Sequence, residues 1–203
     1  LSGKFYKHYN LNNYNFIAMK KTFRSILTVL SLTAVAFISN AQSVIVGGAA
    51  MYPTKNIIEN AVNSKNHTTL VAAVKAADLV DALSGEGPFT VFAPENSAFN
   101  KLPEGTVGTL VMPENKATLT SILTYHVLSG KYDAADLVKA IKMSNGKATM
   151  KTLQGEELTF KMKGKKKIEV VDAKGGTALV TIPNIYQSNG VIHSIDTVLI
   201  PSM

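Results

Sequence analysis

The sequence predicts an α+β fold, with helices first and strands later. Between Pro53 and Ile141 apolar residues recur at three- and four-residue spacing, the period of helices with one buried face. After Gly146 the texture changes to short alternating or β-branched runs separated by glycines, as in strands joined by turns. Asn189-Gly190 then leads into a β-branched apolar run that ends at Pro201. Helices segregated from strands along the chain distinguish α+β from an alternating α/β order.

Residues 1–18 are rich in Asn and Tyr without amphipathic period, and read as an upstream extension ahead of a start at Met19. Lys20, Lys21 and Arg24 then precede an apolar core, Ile26–Ile38, and the small residues of Ser39-Asn40-Ala41. That order predicts a signal peptide over residues 19–41, cleaved after Ala41. The apolar core is shorter than the roughly 20 residues of a membrane span, so the mature form is expected to have none. Residues 42–52 read as a linker, and residues 53–201 as one domain.

Pro53 or Thr54 is expected to open a helix with Ile57, Ile58, Ala61 and Val62 on one side. Thr68 would cap a second, carrying Leu70, Val71, Val74 and Ala77. Asp78 would cap a short third with Leu79, Val80 and Leu83, ended by Gly85-Glu86-Gly87-Pro88. Phe89–Ala93 is apolar on both faces, a buried strand stopped by Pro94. Asn96 is placed to cap a short helix through Phe99. Pro113–Thr124 predicts a helix with Leu119, Ile122 and Leu123 inward, and Asp133–Ile141 another.

Strands follow at Ala148–Leu153, Glu157–Lys163, Lys167–Val171 and Ala178–Ile182. Ile185–Ser188 is expected to pair across a type I′ turn at Asn189-Gly190 with the final strand. On that strand His193 shares a face with Val191, Ile195 and Leu199. A histidine there must find a hydrogen-bond partner inside the fold.

Composition narrows function. Once the leader is removed, sixteen lysines stand against fourteen acidic residues, a net charge of +2 with no arginine. Lack of the guanidinium fork argues against phosphate or base-edge recognition, so nucleic acid is set aside as a partner. There is no cysteine, so an exported domain here must hold by packing.

No residue pattern supports catalysis. There is no Gly-x-Ser-x-Gly elbow and no cysteine nucleophile. Ser194 follows His193 directly, so the two point to opposite faces of a strand. His193 and Asp196 differ in parity, and His67, His126 and His193 show no metal-ligand spacing. The expectation is a protein that is not an enzyme, with no metal and no cofactor. A site assembled through space from His126, His193 and a carboxylate is the alternative left open.

Three segments resemble the fasciclin domain family. Thr90-Val91-Phe92-Ala93-Pro94-Glu95-Asn96-Ser97-Ala98-Phe99 is similar to its N-terminal signature, carried by Thr90, Phe92, Pro94, Asn96 and Phe99. Leu123–Leu128 resembles its Tyr-His segment, with His126. Asn189–Pro201 resembles its C-terminal signature, with Asn189, Gly190, His193 and Asp196. The resemblance covers Pro53 to Pro201 in a single copy, making residues 53–201 a fasciclin domain. It implies the fasciclin fold, a compact β sandwich-like wedge with a helical layer and the two signatures as neighbouring central strands. It also implies a non-enzymatic adhesion or extracellular interaction module, which the leader at residues 19–41 makes secreted or periplasmic by expectation. Its partner would be a protein or polysaccharide of cell surface, matrix or biofilm.

The resemblance also marks interaction candidates. Tyr125 and His126 match the segment implicated in integrin-dependent adhesion by animal matrix proteins. However, His126 shares a helical stripe with Leu119, Ile122 and Leu123, which fits a buried structural histidine. A second animal motif, Glu-Pro-Asp-Ile-Met, corresponds to Ile182-Pro183-Asn184-Ile185-Tyr186. Pro183 and Ile185 match, but Asn184 stands where the motif has an acid, so a contact needing a carboxylate on a metal ion would be lost.

The alternative function is small-ligand or acidic-polysaccharide binding, through a pocket or a hairpin over Lys161–Lys167. Lys161, Lys163, Lys165, Lys166 and Lys167 crowd there around Gly164. Flanking acids at Glu156, Glu157, Glu169 and Asp172 favour the other reading, an edge hairpin kept soluble by lysine.

Overall fold

The computed structural model describes residues 43–202, so the expected leader and upstream stretch lie outside them. Most of the stretch read as a linker proves to be part of the domain. Strands β1 (Val44–Val46) and β2 (Ala49–Met51) form an antiparallel hairpin across Gly47-Gly48, both at positive φ. Val46 and Met51 are buried while Ile45 is 64% exposed, the period-two alternation of a strand too short to stand out in sequence.

Helix α1 (Ile57–Ala61) starts later than Pro53 or Thr54. Its N-cap is Asn56, whose side chain accepts from Glu59 N while the Glu59 carboxylate accepts from Asn56 N, a reciprocal capping box. In α2 (Thr68–Ala76) His67 is the N-cap and Thr68 the first helical residue. Helix α3 (Val80–Ser84) is entered through Leu79; Asp78 does not cap it but takes a φ of 54°.

Strand β3 (Phe89–Pro94) leads to α4 (Asn96–Phe99), α5 (Thr106–Leu110), a 3-10 turn at Pro113–Asn115, and α6 (Lys116–Tyr125). Next come β4 (Val127–Ser129) and α7 (Ala134–Met143), the latter opened by an Asp133–Asp136 capping box. The remaining strands are β5 (Lys147–Lys151), β6 (Glu157–Lys163), β7 (Lys167–Val171), β8 (Thr177–Gln187) and β9 (Gly190–Ile195). No helix among the described residues is long and apolar enough to cross a membrane.

Three sequence expectations shift here. Ala178–Ile182 and Ile185–Ser188 are one strand, β8, whose register slips around Pro183 and Asn184. Pro183 has no N–H for the ladder, and Asn184 adopts a φ of 60°, so the strand bulges but does not end. Pairing of Gln187 with Gly190 puts the turn at Ser188-Asn189, one residue earlier than expected, and neither Asn189 nor Gly190 takes a positive φ. The final strand stops at Ile195, because the Asp196 carboxylate takes over the ladder by accepting from Leu179 N at 2.8 Å.

Seven strands form one sheet in the order β4-β3-β9-β8-β7-β6-β5, antiparallel except for β3 beside β9. The sheet rolls until its edges meet, where Leu128 bridges Thr152 and Leu153 N donates to Val127 O at 2.8 Å. Alternation along β3 divides the core. Phe92 joins Tyr125, Leu137, Phe160, Ile195 and Leu199 inside the roll. Val91 and Ala93 join Ile192, Leu70, Val74 and Leu123 between the sheet and the helices.

Candidate functional site

The two signature segments meet as the parallel pair β3 and β9, in register from Phe89 opposite Gly190 to Pro94 opposite Ile195. Both strands lie inside the sheet order. Gly190 is required by closeness: a Cβ there would stand 2.2 Å from Phe89 O. Asn189 ties helices to this end of the pair. Its Oδ1 accepts from Ile57 N, the first residue of α1, at 3.0 Å. Its Nδ2 donates to Leu83 O and Gly85 O, where α3 ends, both at 2.9 Å.

His193 is fully buried and stacks on Phe92, its partner in register, with centroids 5.5 Å apart. Its Nδ1 accepts from Asn184 N at 3.3 Å, so Nε2 carries the proton and donates to Tyr132 O at 2.9 Å. The same logic applied to His126 fixes the opposite tautomer. Nε2 accepts from Leu199 N at 2.9 Å and Nδ1 donates to Ile122 O at 2.8 Å. Burial lowers the pKa of both, that of His126 to about 4.

His67 is a third buried histidine, and its burial was not anticipated from the sequence. It sits between two buried serines, with Nδ1 2.9 Å from Ser64 Oγ and Nε2 3.2 Å from Ser194 Oγ. Ser194 shows no exposed surface, so this pairing locks α2 to β9 and presents no nucleophile to a substrate. The available signal was Ser64-x-x-His67 immediately before a helix. Among the described residues no group of three His, Asp or Glu side chains converges as metal ligands.

The remaining signature residues also bond inward. Thr90 Oγ1 donates to Gly130 O at 2.7 Å and accepts from Tyr132 N at 2.8 Å. Pro94 is buried, and Phe99 is half-buried against the helical layer. Asn96 is a cap, but for a different helix. It is the first residue of α4, and its Oδ1 accepts from Thr69 N in α2 at 3.1 Å while Nδ2 donates to Lys65 O at 2.9 Å. Besides meeting Leu179 N, Asp196 pairs with Lys101 at 3.5 Å.

Three of the four animal-type interaction candidates prove internal. Tyr125 is fully buried, its hydroxyl donating to Glu157 O at 3.0 Å and accepting from Ala173 N at 2.9 Å. His126 and Ile185 are 3% and 2% exposed. Asn184 Oδ1 accepts from Ala134 N at the start of α7, at 2.7 Å. These four residues are not brought together on the surface, because three of them are core.

The lysine hairpin is β6–β7, and it is not at the sheet edge, since β5 and β8 flank it. The edge-hairpin reading therefore gives way to a projecting turn. Lys161 and Lys163 each reach the buried Glu169 at 3.0 Å and hold its pKa low through those bonds. Lys165 and Lys166 are exposed at the tip beside Gly164, at φ 64°.

A small α+β domain of this kind uses its motif residues to bind its own elements together. The model of the Fasciclin domain matches residues 65–201. Protein sll1483 of Synechocystis sp. is 49% identical over 162 residues, 80% of this chain and 82% of that protein. Immunogenic protein MPB70 of Mycobacterium bovis is 38% identical over 146 residues, 70% of this chain and 66% of that protein. Cell surface glycolipoprotein MPB83 of the same species is 31% identical over 189 residues, 84% of this chain and 78% of that protein. Among solved structures, a FAS1 domain pair from the insect cell adhesion molecule Fasciclin I aligns with a TM-score of 0.65 at 20% identity, over 73% of this chain and 52% of that one. The chain belongs to the fasciclin domain family.

Proposed function

We propose that this protein is an exported, non-enzymatic adhesion-type module that binds a protein or polysaccharide of the cell surface, matrix or biofilm. One observation carries the reading. The polar side chains that mark the family are bonded to the protein's own backbone and neighbours, from Asn189 and Thr90 to His193. What remains for recognition is the outer surface. The mycobacterial relative named as a cell surface glycolipoprotein and the insect cell adhesion molecule of the same fold support this direction.

Export rests on the basic-apolar-small order of residues 19–41. Material recovered outside the cell should begin at Gln42 on N-terminal sequencing. The test of the interaction is capture on immobilised protein from the producer's own envelope and matrix. A saturable partner retained by folded but not heat-denatured protein is expected; equal retention by both would overturn the reading.

Acidic-polysaccharide binding is kept as a second reading because Lys165 and Lys166 project from a turn without burial. Such binding would be electrostatic and weakened by salt.

A further inference from the structure

The helical layer does not fill the space above the sheet. A cavity of about 280 Å³ lies among α2, α4, α5 and α6, walled by Ala73, Phe99, Leu110, Leu119, Ile122 and Ile200 among others. Beyond Leu70, Leu123 and His126, which line both spaces, lies a second void of about 60 Å³ bounded by Val74, Val91 and Ile192. These three side chains are the wall the two spaces share. Protein interiors ordinarily leave few voids larger than a water molecule.

The walls select the occupant. An apolar cavity of about 150 Å³ stays dry and accepts benzene, and the larger space here is nearly twice that size. His126, the polar side chain common to both spaces, has each nitrogen engaged, by Ile122 O and Leu199 N. It leaves nothing to hold water or an inner polar group. Hydroxyls occur at Thr106 and Thr118, and Thr118 is exposed.

The cover is lightly held. None of the residues of α5 is buried, its N-cap Gly105 has φ 80° and no side-chain cap, and Gly108 sits in its middle. Gly108 has open space where a Cβ would be. A five-residue helix with an interior glycine has little local stability of its own.

We propose that this space is a binding slot for one unbranched acyl chain of a free monoacyl amphiphile. The tail lies beneath α5 and points toward Leu70, Leu123 and His126, and the polar head stays at the Thr106–Thr118 rim.

The test is calorimetric titration of the purified protein with dodecanoate and with butyrate, which share a carboxylate and differ in tail. Dodecanoate should bind one to one, at least about 100-fold more tightly than butyrate, since each buried methylene adds to affinity. Ala73→Phe fills the floor, and Thr118→Trp blocks the rim from an exposed position that folding does not need. Each should weaken dodecanoate roughly tenfold or more. Several outcomes would overturn the slot: no preference for dodecanoate, wild-type affinity in folded Thr118→Trp, or uptake of many equivalents insensitive to both changes. Sedimentation with phosphatidylcholine vesicles without one-to-one binding of the free acid would overturn it equally.

Discussion

His126 at the end of α6 fastens the chain beyond β9, accepting the N–H of Leu199 at 2.9 Å on a nitrogen that must stay unprotonated. Burial holds its pKa at about 4, below the ordinary 6.5 of an unfolded chain. Between these values the unfolded state binds the proton first. Stability from this group is therefore complete above about pH 6.5 and lost as pH falls toward 4, at up to ~1.4 kcal/mol per pH unit. His67 and His193, lowered mainly by burial, act in the same direction. Melting temperature should fall from pH 7 to pH 4.5, less steeply in His126→Gln. Parallel profiles for variant and wild type would assign the effect to other groups.

Gly190 and Gly108 should respond oppositely to the same change. Gly190→Ala sets a Cβ 2.2 Å from Phe89 O and must push β3 from β9, a cost of about 3 kcal/mol or more. Gly108→Ala meets nothing within 4 Å inside a helix, and should stabilise by ~0.5–1 kcal/mol. Denaturant midpoints of the two variants against wild type provide the check.

Periodicity carried most of the fold, because it reports which side chains face a core. The strand Phe89–Ala93, the helix after Asp133 and the strands between Glu157 and Val171 stand close to where apolar spacing placed them. Errors arose where a distant group supplied the deciding bond. Asn96 has the chemistry of a cap, yet the amide it meets belongs to Thr69, 27 residues away. Asn189-Gly190 resembles a hairpin turn, but Asn189 is fixed by Ile57 and Leu83, and Gly190 by the approach of Phe89. The hairpin at Val44–Met51 was missed because three-residue strands leave almost no periodic trace. As for the candidate site, sequence placed His126 on an apolar stripe and so anticipated its burial. Ile185 and His67 could not be resolved without knowing what packs over them.

Asn184 holds a left-handed backbone and caps α7 at once. Asn184→Ala should cost about 2 kcal/mol, from the strained φ and the lost cap. Asn184→Asp restores the acid of the animal motif and retains an acceptor for Ala134 N, so it should remain within about 0.5 kcal/mol of wild type. Chemical denaturation separates the two, and an equal loss in both would remove the capping role.

Lys163 should be distinguishable from Lys165 and Lys166. The double change Lys165→Gln, Lys166→Gln leaves the Glu169 pairs intact and should alter stability by less than about 0.5 kcal/mol. Lys163→Gln removes one of two cations from a buried carboxylate and should cost more, up to about 1 kcal/mol. If the tip binds acidic polysaccharide, the double variant should also lose the salt-sensitive part of that binding, read from a salt titration beside wild type.

The central claim is that Tyr125 and the signature residues hold the fold, while contact with partners is made elsewhere. Tyr125→Phe isolates the point, since it keeps the buried ring and removes only the hydroxyl bonded to Glu157 O and Ala173 N. The decisive measurement is affinity of this variant for captured envelope or matrix material, at a temperature where circular dichroism shows it folded. Its melting temperature should be lower, from a loss of about 1–2 kcal/mol, with unchanged affinity. A variant that melts like wild type but no longer binds would contradict it.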